Sequence, residues 1–262
     1  MPVAGNSGVP AGTRLADKGS ISASTPGQVI SGVHVTGTIT VSASNVTIEN
    51  SKINSTGQYW AINVKGGVTG LKVIHNEIYT TTGGYEGIFA YSGVGMFACG
   101  NYLHNYENPM TIGDRAVIQS NYVDKMQAAP GNCDDDGIEI YHGNHIRIWG
   151  NNIYAYAPDG HSVSCVNSAL YTGDETNTPQ TDIDINNNWI GGGLYTLRIE
   201  GSGPAHNIAV TDVRVRNNRW WYTAATSGDK YGPVAVRRAG MISEWTNNKW
   251  MGNGAPLNEP LP

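Results

Sequence analysis

One segment of the chain, N-C-D-D-D-G-I-E-I-Y-H at residues 132–142, concentrates side chains that could carry out acid–base chemistry. Asp134, Asp135 and Asp136 are consecutive, and Glu139 follows three residues later. Negative charges this close repel one another, which raises the pKa of at least one carboxyl group and suits it to act as a general acid near neutral pH. The segment therefore predicts a carboxylate-based catalytic site, with Asp135, Asp136 and Glu139 as its acid and base candidates.

Two other interpretations of the three aspartates stay open. Aspartate is a common turn residue, so the run can be a solvated turn that leads into a strand. Carboxylate oxygens are also the ligands that Ca²⁺ takes, so Asp134–Asp136 can form a cation site. Calcium would suit a lyase, because the metal acidifies the proton next to a uronate carboxylate and Arg198, His142 or Tyr171 removes it. Without calcium an acidic cleft repels a polyuronate, so a hydrolase that requires no cofactor would act on neutral glycans.

A repeated asparagine frame indicates which elements must position these side chains. Each repeat has two to four apolar or β-branched residues, one or two linking residues, the asparagine, one further residue and a large apolar residue. The frame recurs at intervals of about 20 to 37 residues, at Asn76, Asn101, Asn121, Asn151, Asn188, Asn218 and Asn248, with Ser51 in the equivalent place before them. Such a frame is the signature of a solenoid, in which each repeat buries its apolar face against the next. Leu, Glu and Lys are too sparse, and Gly, Asn and Thr too frequent, for a helical repeat.

The asparagine column predicts an all-β fold, a parallel β-helix with an Asn ladder. Coils of such a solenoid stack about 4.8 Å apart, so identical residues at one corner lie in register and each amide can hydrogen-bond the next. Asparagine also tolerates the left-handed backbone conformation that tight corners require. We expect an N-terminal lead-in over residues 1–20, the β-helix over 21–254 and a C-terminal tail over 255–262.

A second strand candidate lies between successive asparagine frames, and its alternation divides the residues into inward and outward sets. The inward set is Ile62, Ile88, Met110, Ile138, Leu170, Leu197 and Val234. The first outward column is Asn63, Phe89, Thr111, Glu139, Tyr171, Arg198 and Ala235, and the second is Lys65, Tyr91, Gly113, Tyr141, Gly173, Glu200 and Arg237. Neighbours in a column are one coil apart, so Glu139, Tyr171 and Arg198 should form a contiguous surface.

This predicted surface has the chemistry of a polysaccharide site. Carboxylates and a guanidinium can bind and activate a sugar, and aromatic rings offer surfaces on which sugar faces stack. We expect Arg198 to act together with the acidic candidates. The substrate-binding candidates are Tyr91, Tyr141, His142, Tyr171 and Glu200.

Several stretches of the sequence resemble a known family. They are N-S-G-V-P-A-G-T at 6–13, V-I-S-G-V-H-V-T-G at 29–37, D-G-I-E-I at 136–140, N-N-N-W-I-G-G-G-L-Y-T-L at 186–197 and W-T-N-N-K-W-M-G-N-G-A-P at 245–256. These stretches are similar to the right-handed parallel β-helix proteins of the pectate-lyase-like superfamily, most of all to actinobacterial and actinophage tail-associated β-helix proteins. The resemblance implies a single-stranded right-handed β-helix, with a polysaccharide lying along the surface that carries Glu139.

A second resemblance bears on the activity. Asp136 and Gly137 are similar to the D-G motif of polygalacturonase-type glycosidases on this fold, although no G-H-G element is present and L-R-I-E at 197–200 matches their R-I-K only distantly. We therefore expect a protein that binds and cleaves a bacterial surface or extracellular polysaccharide, as a glycoside hydrolase rather than a lyase. The alternatives are a non-catalytic receptor-binding tail protein or adhesin, and a purely structural spike. The expected location is extracellular or in a virion, as part of a phage tail, where a tailspike would be a trimer.

Charge and cysteine content limit the other partners. The net charge of -5, without a cluster of Lys and Arg, argues against nucleic acid binding. No apolar run approaches the length of a membrane span and no signal segment follows Met1, so membrane insertion is not expected. Cys133 and Cys165 each stand four residues before equivalent positions, Gly137 and Ala169, of adjacent coils. They are therefore expected to form a disulfide or to lie as stacked thiols.

Overall fold

The computed structural model describes residues 1–127, 135–156, 166–173, 178–200, 209–221, 231–258 and 260, and within them the regular structure is entirely β. The strands are numbered β1 to β26 in chain order and form two sheets. The nine-stranded sheet contains β3 (Val29–Ser31), β6 (Thr47–Glu49), β9 (Lys72–Ile74), β11 (Phe97–Cys99), β13 (Val117–Gln119), β16 (Ile146–Trp149), β19 (Ile183–Asn186), β22 (Val213–Arg216) and β25 (Ile242–Thr246). The 17-stranded sheet contains β1 (Ala16–Lys18), β2 (Ile21–Ala23), β4 (Val33–Thr36), β5 (Ile39–Val41), β7 (Lys52–Asn54), β8 (Trp60–Val64), β10 (Glu77–Ala90), β12 (Tyr102–Ile112), β14 (Tyr122–Asp124), β15 (Asp135–Ile140), β17 (Asn152–Ala155), β18 (Val166–Thr172), β20 (Trp189–Gly192), β21 (Tyr195–Ile199), β23 (Arg219–Trp220), β24 (Gly232–Val236) and β26 (Lys249–Trp250).

The prediction of an all-β chain of stacked parallel strands is confirmed. Every pairing between these strands is parallel, and each strand pairs with its counterparts in the neighbouring repeats. Because side chains alternate along a strand, each strand sends a row of apolar residues inwards. The fully buried partners in one such row are Ile62, Ile88, Met110, Ile138, Leu170 and Leu197. Burial of these rows, roughly 25 cal/mol per Å² of apolar surface, provides the main stabilisation.

The asparagines of the repeated frame are buried, and each is hydrogen-bonded to the next. The backbone N–H of Asn76 donates to Oδ1 of Asn101 over 2.9 Å, and Nδ2 of Asn76 donates to the same oxygen over 3.1 Å. The same two bonds recur between each asparagine and its successor as far as Asn248. Ser51 joins this row through its backbone N–H, which donates to Asn76. The row therefore satisfies polar groups that burial would otherwise leave unpaired.

The left-handed corner residue lies one position before the asparagine, and not at the asparagine itself. His75 has φ 53°, Ser120 has φ 54° and Asn187 has φ 56°, whereas the buried asparagines that follow them have no positive φ. Gly100 and Gly150 occupy the same place in their coils, at φ 67° and 65°. The corner therefore divides two tasks between adjacent residues, since one turns the backbone and the next forms the side-chain bonds.

The N-terminal segment runs along the outside of the stacked coils. Its Gly8 N–H donates to the carbonyl of Gly100 over 2.8 Å, and Nδ2 of Asn152 donates to the carbonyl of Pro2 over 3.0 Å. The first strand, β1, lies within the predicted lead-in over residues 1–20 and pairs with β4. This segment thus contacts coils that lie far from it in sequence.

Two further expectations concern the chain as a whole. Among the described residues there is no helix with the length and apolar character needed to cross a membrane. Cys133 and Cys165 lie outside the described residues, so their pairing stays a prediction. Cys99 is a free, half-buried thiol.

Candidate functional site

The structure places Glu139, Tyr171 and Arg198 side by side on β15, β18 and β21. Glu139 pairs in register with Tyr171, and Tyr171 pairs with Arg198. The guanidinium carbon of Arg198 lies 5.8 Å from the centre of the Tyr171 ring, and its Nη2 lies 2.5 Å from Oε1 of Glu200. These four residues, called the stripe below, share one face of the 17-stranded sheet, where Tyr171 is buried and the other three are partly exposed.

An aromatic row continues from the stripe towards the N-terminal coils. Consecutive ring contacts join His142 and Tyr141 to Tyr91, and then Phe89, Trp60, Tyr59 and Tyr85. The centroids of Tyr91 and Tyr141 are 4.9 Å apart. At the far end Tyr59 and Tyr85 stack at 4.5 Å with an angle of 12°, and both rings are about half exposed. The sequence predicted Tyr91, Tyr141 and His142, but it did not single out Tyr59, Trp60 or Tyr85.

Asp135 and Asp136 are buried beneath this surface, with 1% and 2% of their area exposed. The carboxylate of Asp136 accepts hydrogen bonds from Nδ2 of Asn167, at 3.1 and 3.2 Å, and from the hydroxyl of Ser168. Its backbone N–H donates to Oδ1 of Asn108 over 2.8 Å. In this position Asp136 orients neighbouring side chains rather than meeting a ligand in solvent.

Asn167 connects Asp136 to the stripe. Its Nδ2 donates to Asp136, while its Oδ1 accepts a hydrogen bond from Nη1 of Arg198. Burial lowers the pKa of the Arg198 guanidinium, but the hydrogen bond and charge of Glu200 and the charge of Asp136 together raise that pKa. The guanidinium is therefore held as a cation in one orientation, leaning towards the coil that contains Tyr171.

A carboxyl group that the sequence did not single out, Glu86, lies next to Glu139. The hydroxyl oxygen of Thr111 is 2.8 Å from Oε2 of Glu86 and 3.3 Å from Oε2 of Glu139. Burial raises the pKa of Glu86 to about 8, despite the hydrogen bonds from Thr111 and Asn108. Glu86 is therefore largely protonated at neutral pH, and the Thr111 hydroxyl connects it to Glu139. The three groups form a short chain that carries one exchangeable proton.

A repeated dipeptide explains the local geometry and could have revealed Glu86. Glu86–Gly87 and Asp136–Gly137 occupy equivalent places, two coils apart, each directly before an inward isoleucine. A Cβ on Gly87 would lie 2.4 Å from the carbonyl oxygen of Pro109, and one on Gly137 would lie 2.6 Å from that of Ala169. Only glycine allows such a close approach to the next coil. An acidic residue followed by glycine and isoleucine was thus a signal that occurred twice.

The predicted Ca²⁺ site consists of Asp134, Asp135 and Asp136, and the structure describes only the last two of them. Within the described ranges, no group of three or more His, Cys, Asp and Glu side chains is placed to hold a metal ion. Asp134 lies outside these ranges, and the Asp136 carboxylate is occupied by Asn167 and Ser168. The Ca²⁺ site at the three aspartates stays a prediction.

Comparisons with known proteins add no relative to these observations. No protein family, curated protein or solved structure matches the chain significantly. The function is therefore argued from the geometry of the stripe and its surroundings.

Proposed function

We propose that this protein binds a bacterial surface or extracellular polysaccharide along the stripe and the aromatic row, and cleaves it as a glycoside hydrolase. The observation that carries the proposal is the chain from Glu86 through Thr111 to Glu139. It keeps a protonated carboxyl group beside one that is partly exposed. A general acid in a glycosidase needs this supply of a proton near neutral pH.

Glu139 is the carboxyl group of this chain that meets the substrate. It is partly exposed, whereas Glu86 and Thr111 are buried at 7% and 0% exposure. In the proposed reaction Glu139 gives a proton to the glycosidic oxygen as the bond to the anomeric carbon breaks. Glu139 is then reprotonated from Glu86 through the Thr111 hydroxyl, and a proton from solvent, equal to the one that Glu200 releases after the water attacks, restores Glu86.

Glu200 supplies the second carboxyl group of the reaction. It forms an ion pair with Arg198 at one end of the stripe. Glu200 lies two coils from Glu139 and two residues further along its strand than Arg198, so the two backbones are about 12 Å apart. Side chains that turn towards each other across that distance leave room for the water molecule that an inverting glycosidase places between carboxyl groups roughly 6.5 to 9.5 Å apart. Glu200 would take a proton from that water as it attacks the anomeric carbon, so we propose inversion.

The charge of the site favours a neutral glycan. The carboxylates of Glu200 and Asp136 outnumber the guanidinium of Arg198 between them, so a polyuronate would be repelled in the absence of a cation. The aromatic row offers an uncharged sugar several ring faces on which to stack. These features suit a long polysaccharide that lies along the stacked coils.

The proposal includes the handedness of the fold and the location of the protein. We propose that the parallel strands wind as a single right-handed β-helix whose asparagines form a continuous ladder. The sequence stretches that resemble pectate-lyase-like β-helix proteins of actinobacteria and their phages support an extracellular or virion location. They also make a non-catalytic receptor-binding protein the second candidate, because the aromatic row would serve binding without turnover equally well.

One assay separates these functions. The protein is incubated with a panel of isolated bacterial envelope polysaccharides, with and without added Ca²⁺, and new reducing ends and the absorbance of unsaturated uronates are followed. New reducing ends alone, with product of inverted anomeric configuration by NMR, are the expected result. Absorbance that depends on Ca²⁺ would indicate a lyase, and retention on a polysaccharide column without product would indicate a binder.

A further inference from the structure

A second outward-facing array of aromatic and charged side chains lies on β10, β12, β14, β17, β20 and the residue after β23. Ile78, Leu103, Val123, Ile153 and Ile190 of these strands are fully buried, so their neighbours in sequence face outwards. The outward rings, called the second face below, are Tyr79, Tyr102, His104, Tyr122, Tyr154, Trp189 and Trp221. On β10 the second face contains Glu77 and Tyr79. Phe89 of the aromatic row and Glu86, which lies next to Glu139, stand further along the same strand. The second face is therefore separate from the proposed catalytic surface.

The N-terminal half of the second face holds stacked rings around paired charges. The His104 ring stacks between Tyr79, at 5.4 Å and 7°, and Tyr102, at 4.3 Å and 27°. Glu77 bonds Nε2 of His104 and Nζ of Lys52, at 3.3 and 2.6 Å, and these partners bring the pKa of Glu77 to about 2 despite its partial burial. The rings are thus fixed in place by a network that is already satisfied.

Asp124 organises the next pair of rings in the same manner. Its two carboxylate oxygens accept hydrogen bonds from the hydroxyls of Tyr102, at 3.0 Å, and Tyr122, at 2.8 Å. The Tyr102 hydroxyl also lies 3.4 Å from Nζ of Lys125. Burial, with the nearby charge of Asp124, raises the pKa of both phenols, which therefore remain neutral. With Lys52 and Lys125 balancing Glu77 and Asp124, this half carries no excess charge.

In the C-terminal half of the second face, a glycine leaves the space in which the rings of neighbouring coils meet. Gly191 stands in register between Tyr154 and the coil of Trp221, and a Cβ on Gly191 would lie 2.5 Å from Cβ of Trp221. The gap lets Tyr154 and Trp221 meet across two coils, with centroids 5.6 Å apart at 76°. Trp221 also contacts Trp189 at 5.7 Å and donates from Nε1 to Oδ1 of Asn152 over 3.3 Å. All three rings remain partly exposed.

The N-terminal segment forms one border of the second face. A Cβ on Gly8, whose φ is 86°, would lie 3.2 Å from Cβ of Tyr102 and 3.7 Å from that of Glu77. Further along the same border, Asn152 holds the carbonyl of Pro2. The rings therefore lie beside a raised edge that would limit sideways movement of a ligand.

We propose that the second face is a non-catalytic binding site for an uncharged polysaccharide. From Tyr79 to Trp221 it crosses five coil intervals, about 24 Å at the usual strand spacing, which is room for several sugar units. Tyr154, Trp189 and Trp221 are partly exposed and meet edge to face, so they offer apolar ring surface to a sugar. In the N-terminal half two lysines balance two carboxylates, which matches a ligand without charge, and in the C-terminal half Arg219 stands in register beside Trp189 and adds a hydrogen-bond donor. A second site of this kind holds the protein on a polysaccharide whether or not the stripe cleaves it.

Affinity electrophoresis tests this proposal without any need for turnover. Native gels contain hydroxyethyl cellulose, galactomannan or dextran as neutral probes, and polygalacturonate as the acidic probe. We expect at least one neutral probe to retard the wild-type protein, and Trp189→Ala to weaken that retardation about tenfold or more. Trp189→Phe, which keeps a stacking ring, should restore most of it. The matched control is Trp149→Ala on the nine-stranded sheet, which should be retarded like the wild type.

Melting temperatures of the variants show whether a loss of binding reflects a loss of folding. If Trp189→Ala does not fold, Tyr154→Ala replaces it, with Tyr154→Phe as its conservative partner. The proposal is overturned if no neutral probe retards the wild type, or if retardation survives both alanine changes. It is also overturned if Tyr91→Ala, on the aromatic row, abolishes retardation by itself, since binding would then belong to the first surface. Turnover measured at the stripe has no bearing on these outcomes.

Discussion

Replacing Glu86 with glutamine should change how the stability of the protein depends on pH. Glu86 is buried, and its pKa rises from 4.5 to about 8 on folding. The folded state therefore binds more protons than the unfolded state between these values, so the free energy of unfolding decreases as pH rises through this window. A slope of about 1.4 kcal/mol per pH unit gives a total loss on the order of 5 kcal/mol for the wild type.

Glutamine keeps the shape of Glu86 but cannot ionise, so Glu86→Gln should lack this slope. Near pH 5 the variant should differ from the wild type by no more than about 1 kcal/mol, since the hydrogen bond with Thr111 can persist. Near pH 8 the variant should be the more stable protein by several times that amount. The two stability curves are therefore expected to cross.

Urea denaturation and thermal melting at several pH values between 4.5 and 8.5 give the two curves. Thr111→Val provides a companion variant, because loss of a hydrogen bond that lowers the pKa of Glu86 should move the window to higher pH. Parallel curves for wild type and Glu86→Gln would refute the reasoning. They would show that Glu86 is ionised at neutral pH. The proposed proton transfer from Glu86 to Glu139 would then be wrong.

Three further predictions follow from the fold and the stripe. Asn121→Ala should lower the free energy of unfolding by about 1 to 3 kcal/mol because it leaves buried partners unsatisfied, whereas Asn253→Ala in the exposed C-terminal segment should leave the melting temperature almost unchanged. Glu139→Gln should reduce turnover by about 10² to 10⁴ with polysaccharide retention nearly unchanged, and equal turnover would remove Glu139 from the mechanism. Arg198→Ala should weaken retention on the polysaccharide column, because its guanidinium holds both Glu200 and Asn167 in place; retention equal to that of the wild type would contradict this role.

The register of the coils was readable from the sequence because it depends on a pattern that repeats. Alternation along each second strand placed Glu139, Tyr171 and Arg198 in one row, and the strand pairings have the same order. The burial of the carboxyl groups could not be predicted from the sequence, since it depends on which side chains of adjacent coils cover each group. Asp136 and Glu86 both precede a glycine, yet their burial is set by neighbours contributed from other coils.

The corner of the coil shows a similar limit. The sequence identified the asparagine column, but it assigned the left-handed conformation to the asparagine rather than to the residue before it. Six of the eight corner residues are asparagine or glycine, but adjacent asparagines such as Asn187 and Asn188 left open which of the two turns the backbone. The structure makes the shared requirement visible as a backbone angle.

The N-terminal segment has a consequence for the order of folding. In a solenoid each coil normally meets only its neighbours, so coils can form and open almost independently. Here the bond from Asn152 to Pro2 joins residues 150 apart in sequence, against 20 to 37 for successive asparagines of the central row. The segment that contains Pro2 can therefore dock only after the coil that contains Asn152 has formed. Once docked, this segment couples the opening of the first coils to that of the coil after β16, the sixth strand of the nine-stranded sheet, so that about two thirds of the array should unfold as one cooperative unit.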